Sequence, residues 1–418
     1  MVYFAFKSII MIKKRLLSIL ITCFCVSYCL AQQQPTALNR VNSYSVPIGS
    51  TEKDNEIYLT ALAKELTANS ICGLGEASHG THEFFTEKSR IIKHLITHEG
   101  YKLVGFEFGY SAIEPINNYL LTGAGDLKKL MKPLHLFKTK EIYDLFQAIK
   151  TYNDSQPDKT KVTLFGFDTN YIKSDIDLSA LYCLDYLAKN NQLYPKTQAA
   201  LPVFKKIAAP GFSYLYELSD EETAIITDLH GWLKDKENLK AKDLKRFKKH
   251  VSLLYQGTLL GNPLARDEFM AENIFDVQKE TKAKTIIWGH NVHIAKDTTM
   301  AQCRGMGYYL KEKYGKQYYA VAFDTYKGTV NTLADDELEK HSFETPATSI
   351  SALFAKAAPT AFFIPFNDVK SDPLYNVSGS ITNIFANWST NRSLPIRPGA
   401  DFNALVFIRE TTASVPLE

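Results

Sequence analysis

The chemistry-bearing residues of this chain cluster first in "GEASHGTHEFF" (residues 75–85). Glu76 and His79 stand three residues apart on what reads as a turn. A carboxylate beside an imidazole orients the ring and raises its basicity, so that it can take a proton from water. The spacing alone does not separate a catalytic histidine from a structural one. A second pair, His290 and His293, lies in "WGHNVH", and Glu107 lies in "KLVGFEF". With Glu76 and His79 these could bind zinc or a pair of metals. However, no helical H-E-x-x-H spacing is present, and histidines serve equally well to bind an oxyanion or polarise a carbonyl.

Other nucleophiles fit less well. No G-x-S-x-G turn occurs anywhere in the chain. Ser78 adjoins His79, but neighbours in sequence rarely meet in hydrogen-bond geometry. Cys72 lies within an apolar run, which suits a small core residue. Water activated by a histidine is the economical choice.

Five short apolar runs end in polar chemistry: "SICGLGE" (70–76), "KLVGFEF" (102–108), "VTLFGFD" (162–168), "TIIWGHN" (285–291) and "YYAVAFD" (318–324). Near-continuous apolar runs suit strands buried on both faces. Between them the patterns are helical. Phe84, Phe85, Ile91, Ile92, Leu95 and Ile96 recur at helical spacing, and Gly100 is a fitting stop. Alternating strands and helices predict an α/β fold with a mostly parallel sheet and flanking helices. Such sheets place ligands beyond the carboxyl ends of their strands, where Glu76, Glu107, Asp168, His290 and Asp324 would sit. Gly75 and Gly80 would let the backbone turn there. The bland alternative for any one of these residues is a loop or helix cap, and Asp168 would equally well hold Arg266. Residues 172–282 carry little strand signal and read as a helical insertion forming a lid or cleft wall. Within it, Arg266, Met270 and Asn273 are spaced to share one helix face. Thr139 and Glu141 suit a helix start, with Thr139 as the cap. The last strand candidates are 360–366 and 403–410.

At the N-terminus Lys13, Lys14 and Arg15 precede the apolar run Leu16 to Cys25, and Cys29-Leu30-Ala31 offers small residues before Gln32. This pattern predicts a signal peptide cleaved near Ala31 and a secreted or periplasmic protein with no stable membrane insertion after cleavage. Residues 1–31 hold four basic and no acidic residues, so the net charge of +3 becomes about −1 once they are removed. The electrostatic case for nucleic acid then disappears. Cys72, Cys183 and Cys303 remain, odd in number and widely spaced, so no disulfide framework is implied. Residues 32–54 read as a polar linker before a single domain over 55–418.

Taken in order, "GEASHGTHEFF", "GFEFGYSAIEPINNYL", "LFGFDTN", "RDEFMAEN", "WGHNVH" and "MGYYLKEKYGKQYYAVAFD" resemble the erythromycin esterase family from about residue 55 to the last strand. The resemblance implies an α/β core, a helical subdomain, a deep cleft, and hydrolysis of a macrolactone ester with no required metal or other cofactor. It makes His79 the general base, Glu76 its partner and Glu107 a second essential carboxylate. His290 and His293 would face the substrate carbonyl. Lys88 or Arg90 would fill the place of a basic residue on the helix after the motif. On this reading His290 or His293, with Arg90, stabilises the oxyanion, while Lys88, His82, Asp168 and Arg266 meet the substrate. Two departures touch macrolide recognition more than hydrolysis. His82 stands where the family usually has Arg, and "HLFKTKEIYDLF" (135–146) replaces a tryptophan-rich stretch. The expected partner is a small-molecule ester. The competing expectation is a metal- or haem-binding protein using the same Glu and His cluster.

Overall fold

The structure is a computed structural model. It describes residues 36–418 apart from 50, 69, 170–172, 191–194, 235–241, 335–336, 367–371 and 376. The expected signal peptide lies outside these residues. The expected linker does not behave as one where it is described. Residues 36–44 are helical, Ala37 and Val41 are buried, and Arg40 pairs with Asp372 at 3.2 Å. The following strand β1 (Val46–Pro47) pairs with Phe363 and Phe362. An i, i+4 apolar pair and a strand-forming Val46 tie this segment to the body despite its polar composition.

All five expected strands form: β2 (Ile71–Leu74), β3 (Leu103–Gly109), β4 (Thr163–Asp168), β5 (Thr285–Trp288) and β6 (Tyr318–Ala334). The late pair also forms, as β8 (Ala361–Pro365) and β11 (Ala404–Thr411), and between them β9 (Gly379–Thr382) and β10 (Ser393–Ile396) form a separate antiparallel pair. The sheet runs β1-β8-β11-β6-β2-β5-β3-β4. It is parallel from β11 to β4, with β8 antiparallel to β11. Sequence patterning missed the far half of β6. That half is long enough to carry an antiparallel partner, β7 (Glu337–Glu344), which is too exposed to show an apolar run.

Alternate strand residues enter two separate cores. Cys72, Leu74, Ile286 and Trp288 pack on one face of the sheet, and Ile71 and Ile287 pack on the other. Helix α1 (Glu52–Glu65) and helix α2 (His82–His98) cover the first face through Tyr58, Leu62, Phe84, Phe85, Ile91, Ile92 and Leu95. Gly100 follows α2 in the left-handed region at φ 72°, which only glycine adopts without strain. The other face is covered partly by α9 (Ala265–Thr281), through Met270, Ala271 and Ile274.

The insertion is helical. Lys173–Asn190, Pro195–Ile207, Asp220–Lys234 and Lys242–Thr258 (α5–α8) share a core of their own built around Cys183, Phe204, Leu229, Phe247 and Leu254. It meets the main body through α3 (Tyr110–Thr122). Asp175 accepts from Gly109 N at 3.2 Å, and Arg246 pairs with Glu114 at 2.5 Å. Helix α4 (Lys140–Asp154) starts at Thr139, whose hydroxyl accepts from Ile142 N. Among the described residues no helix is long and apolar enough to cross a membrane.

Candidate active site

The loop from Gly75 to His82 is fixed almost residue by residue. Gly75 N donates to Val321 O, Asn291 N to Glu76 O, Ile384 N to Ala77 O, and both Asn331 N and Ser414 N to Gly80 O. His82 N then donates to Thr412 O, and Glu83 accepts from both the backbone N–H and the hydroxyl of Thr412. The two glycines serve close approach rather than turning, for neither has a positive φ. A Cβ on Gly80 would lie 1.9 Å from Asn331 O, and one on Gly75 would lie 2.1 Å from Asn291 Oδ1. Any side chain there would push the loop off the sheet.

This loop presents Glu76, which is fully buried and triply engaged. His79 Nδ1 meets Oε1 at 2.8 Å. Lys88 Nζ donates to Oε2 at 2.7 Å and Trp288 Nε1 donates to the same oxygen at 3.0 Å. A carboxylate can only accept, so His79 carries its proton on Nδ1 and keeps Nε2 as the basic nitrogen. Lys88 lies under the Trp288 ring, 4.4 Å from its centroid. Burial lowers the Lys88 ammonium to about 8 against the pull of Glu76.

Glu107, on β3, organises the second half of the site. Its Oε2 accepts from His290 N at 2.7 Å, and its Oε1 meets Arg266 at 3.3 Å and His293 Nε2 at 3.3 Å. Arg266 also binds Asp168 at 3.0 and 2.6 Å. Burial works to raise Glu107, but His293, His79 and Arg266 overcome it and hold the carboxyl well below its usual range.

His293 is spanned by two carboxylates, with Nδ1 on Asp267 at 2.8 Å and Nε2 on Glu107. Burial opposes the charged ring, yet Asp267 and Glu107 raise it to about 10. It is an imidazolium with both nitrogens occupied. The expectation that His293 faces a substrate carbonyl is therefore corrected: it is a cationic strut.

His290 is the opposite case. Its Nδ1 accepts from Val292 N at 3.3 Å, as the cap of the short helix that follows. The remaining proton of the neutral ring therefore sits on Nε2. That atom is buried and has no hydrogen-bond partner among the described residues. Burial first, then the proximity of His79, holds the imidazole well below its ordinary range, so it stays neutral. An unpartnered buried N–H costs free energy unless something binds it, and its ring centroid is 5.0 Å from that of His79.

Glu76, His79, Lys88, Glu107, Asp168, Arg266, His290 and His293 thus form one connected cluster at the carboxyl ends of β2 to β5. Three expected participants, Arg90, His82 and Asp324, lie elsewhere. Arg90 turns away on α2 to pair with Glu87, which also binds the Tyr58 hydroxyl at 2.6 Å. Position 90 falls two residues beyond Lys88, so the helix rotates it off the cluster. His82 pairs with Glu141 at 2.5 Å, in a hollow lined also by Thr86, Ser89 and Lys93 on another face of α2. Lys88, expected to meet substrate, is instead fully buried against Glu76 with no surface open to solvent. Asp324 also leaves the set, because it is mid-strand and bound by Ser351 Oγ and Thr382 N. Ser78 is buried and bonded to Thr81, not to His79.

Sequence reasoning missed Asp267, Phe137, Phe385 and the bond from Trp288 to Glu76. Asp267 follows Arg266 in the first turn of α9 and was the most readable of these. As for metal, the Glu and His donors already serve Lys88, Arg266, Trp288 and one another. Among the described residues no three His, Cys, Asp or Glu side chains are grouped so that they could hold a metal ion.

A buried carboxylate–histidine pair facing a neutral histidine N–H defines a site suited to general-base hydrolysis. The erythromycin esterase family model matches residues 96–411, and the chain belongs to that family. It is 23% identical to erythromycin esterase type II of Escherichia coli over 376 residues, 76% of this chain and 86% of that protein. A Bacillus cereus protein of known structure is 26% identical and superposes with a TM-score of 0.77 over 92% of this chain and 99% of its own. A mutant of the erythromycin esterase EreC in its open conformation shares the fold at 17% identity. Its TM-score is 0.67, over 89% of this chain and 97% of its own.

Proposed function

We propose that this protein, after export, hydrolyses a neutral carboxylic ester with water as the nucleophile. The observation that carries the reading is the opposed pair of histidines. His79 is held by Glu76 with a basic Nε2, and His290 is held neutral with its Nε2–H unpartnered. His79 takes a proton from water as the water oxygen bonds to the carbonyl carbon. The carbonyl π electrons move to oxygen, and His290 Nε2–H receives the oxyanion. Collapse of the tetrahedral species breaks the C–O bond to the alcohol. The His79 imidazolium returns its proton to the departing alkoxide, giving acid and alcohol. Glu76 stabilises the transient imidazolium. Glu107, with Arg266 and His293, fixes the backbone of His290.

Proton transfer by such a base typically contributes about 10²–10⁴-fold, and an oxyanion donor a similar amount. The test is a screen of simple esters and macrolactones, the latter suggested by the Escherichia coli relative's name. Native protein is compared with His79→Ala. The variant should unfold as cooperatively as the native protein and lose nearly all turnover. An active His79→Ala protein would remove the mechanism.

A further inference from the structure

Four rings stand in a row through the site. The centroid of Phe137 is 5.6 Å from that of His79, His79 is 5.0 Å from His290, and His290 is 5.2 Å from Phe385. The row begins in the core, where Phe137 is buried beneath Phe85 and Phe108. It ends in solvent, since Phe385 is 44% exposed. Its place beside a buried, polar site, stacked on the His290 ring, offers an apolar surface that a ligand reaching that site would cover.

The exposure does not come from a loose loop. The residue before Phe385, Ile384, is buried and donates to Ala77 O at 2.7 Å. The residue after it, Ala386, accepts from Leu333 N at 2.7 Å. Ala77 belongs to the same loop as Glu76 and His79, so Phe385 and the base are held in one frame. The charges around the site limit what approaches. Among the described residues, Glu76, Glu107, Asp168 and Asp267 pair with Lys88, Arg266 and His293 as cations, an excess of one negative charge that disfavours an anionic substrate.

We propose that Phe385 is a specificity residue: it packs against an apolar acyl chain carried by the scissile carbonyl, so that the preferred substrate is a neutral ester of an extended, hydrophobic acid. The acyl group lies on Phe385 while its carbonyl oxygen meets His290 Nε2–H, one ring further in. This rests on the hydrolase reading above, and the experiment separates the two.

Two measurements are made on native protein and on Phe385→Ala. In the first, kcat and KM are determined for p-nitrophenyl acetate and p-nitrophenyl octanoate. Native protein should prefer the octanoate. The variant should lose about tenfold in kcat/KM for octanoate, mostly in KM, and change less than about twofold for acetate. In the second, binding of 2-nonanone, which cannot be hydrolysed, is measured calorimetrically. The variant should bind it about tenfold more weakly. Equal losses on both esters, or ketone binding that ignores residue 385, would overturn the proposal. Ketone binding that depends on Phe385 without turnover of either ester would leave the platform standing and remove the hydrolase reading instead.

Discussion

Lys88 Nζ lies 2.7 Å from Glu76 Oε2 with neither side chain exposed to solvent. Breaking a buried pair by removing one partner leaves an uncompensated charge and costs about 3–5 kcal/mol. Lys88→Met should therefore destabilise the protein by an amount of that order in urea denaturation. It should also lower turnover, because the carboxylate that aligns His79 loses its counterion. A variant with native stability would show that the pair is not held as described.

Glu76→Gln removes the charge but keeps the shape. The amide accepts through one oxygen only, so it cannot serve His79, Lys88 and Trp288 together. We expect turnover to fall about 10²–10⁴-fold while the circular dichroism spectrum is retained. KM should move much less than kcat, since Glu76 is buried behind the base and touches no substrate.

The charge on His293 makes its contribution to stability pH dependent. Its folded value, about 10, lies above the ordinary 6.5, so the folded state holds the proton more tightly. That contribution is complete below about 6.5 and is lost as pH rises through 10. The stability gap between native protein and His293→Gln should accordingly be widest near pH 6 and narrow steadily toward pH 10. Denaturant unfolding of both proteins at several pH values reads this directly. A gap that widens with pH would mean the ring is neutral.

Arg90 offers a clean contrast with the cluster. It pairs with Glu87 on another face of α2, beside Tyr58. Arg90→Ala should leave kcat/KM within about twofold of native, with a stability loss of about 0–1 kcal/mol for a part-exposed ion pair. A loss of turnover on the scale of Glu76→Gln would place Arg90 back in the reaction.

The sheet was readable because parallel strands buried on both faces must be largely apolar, and β2 to β5 and the first half of β6 obey this plainly. The edge elements were not, since β7 is exposed and β1 has only two residues. At the site, Glu76, His79, Glu107 and His290 could be named because they follow or end apolar runs. Their division of labour could not. Whether a histidine is a base, a donor or a strut depends on what occupies each ring nitrogen. Asp267 decides that for His293 from 26 residues away. Arg90 was misplaced because a helix rotates about 100° per residue, and two positions carry a side chain to a different wall. Phe385 gave no signal at all, since one phenylalanine among 25 is marked only by the ring it stacks on.

The loop that carries the base is sewn at Gly80 and His82 to residues 412–414, more than 300 positions downstream. During synthesis the Glu76–His79 stretch leaves the ribosome more than 300 residues before those partners exist. The loop is therefore unanchored in any partial chain that stops before Thr412, and truncation after Thr411 should loosen the Glu76–His79 pair without removing any residue of the cluster itself.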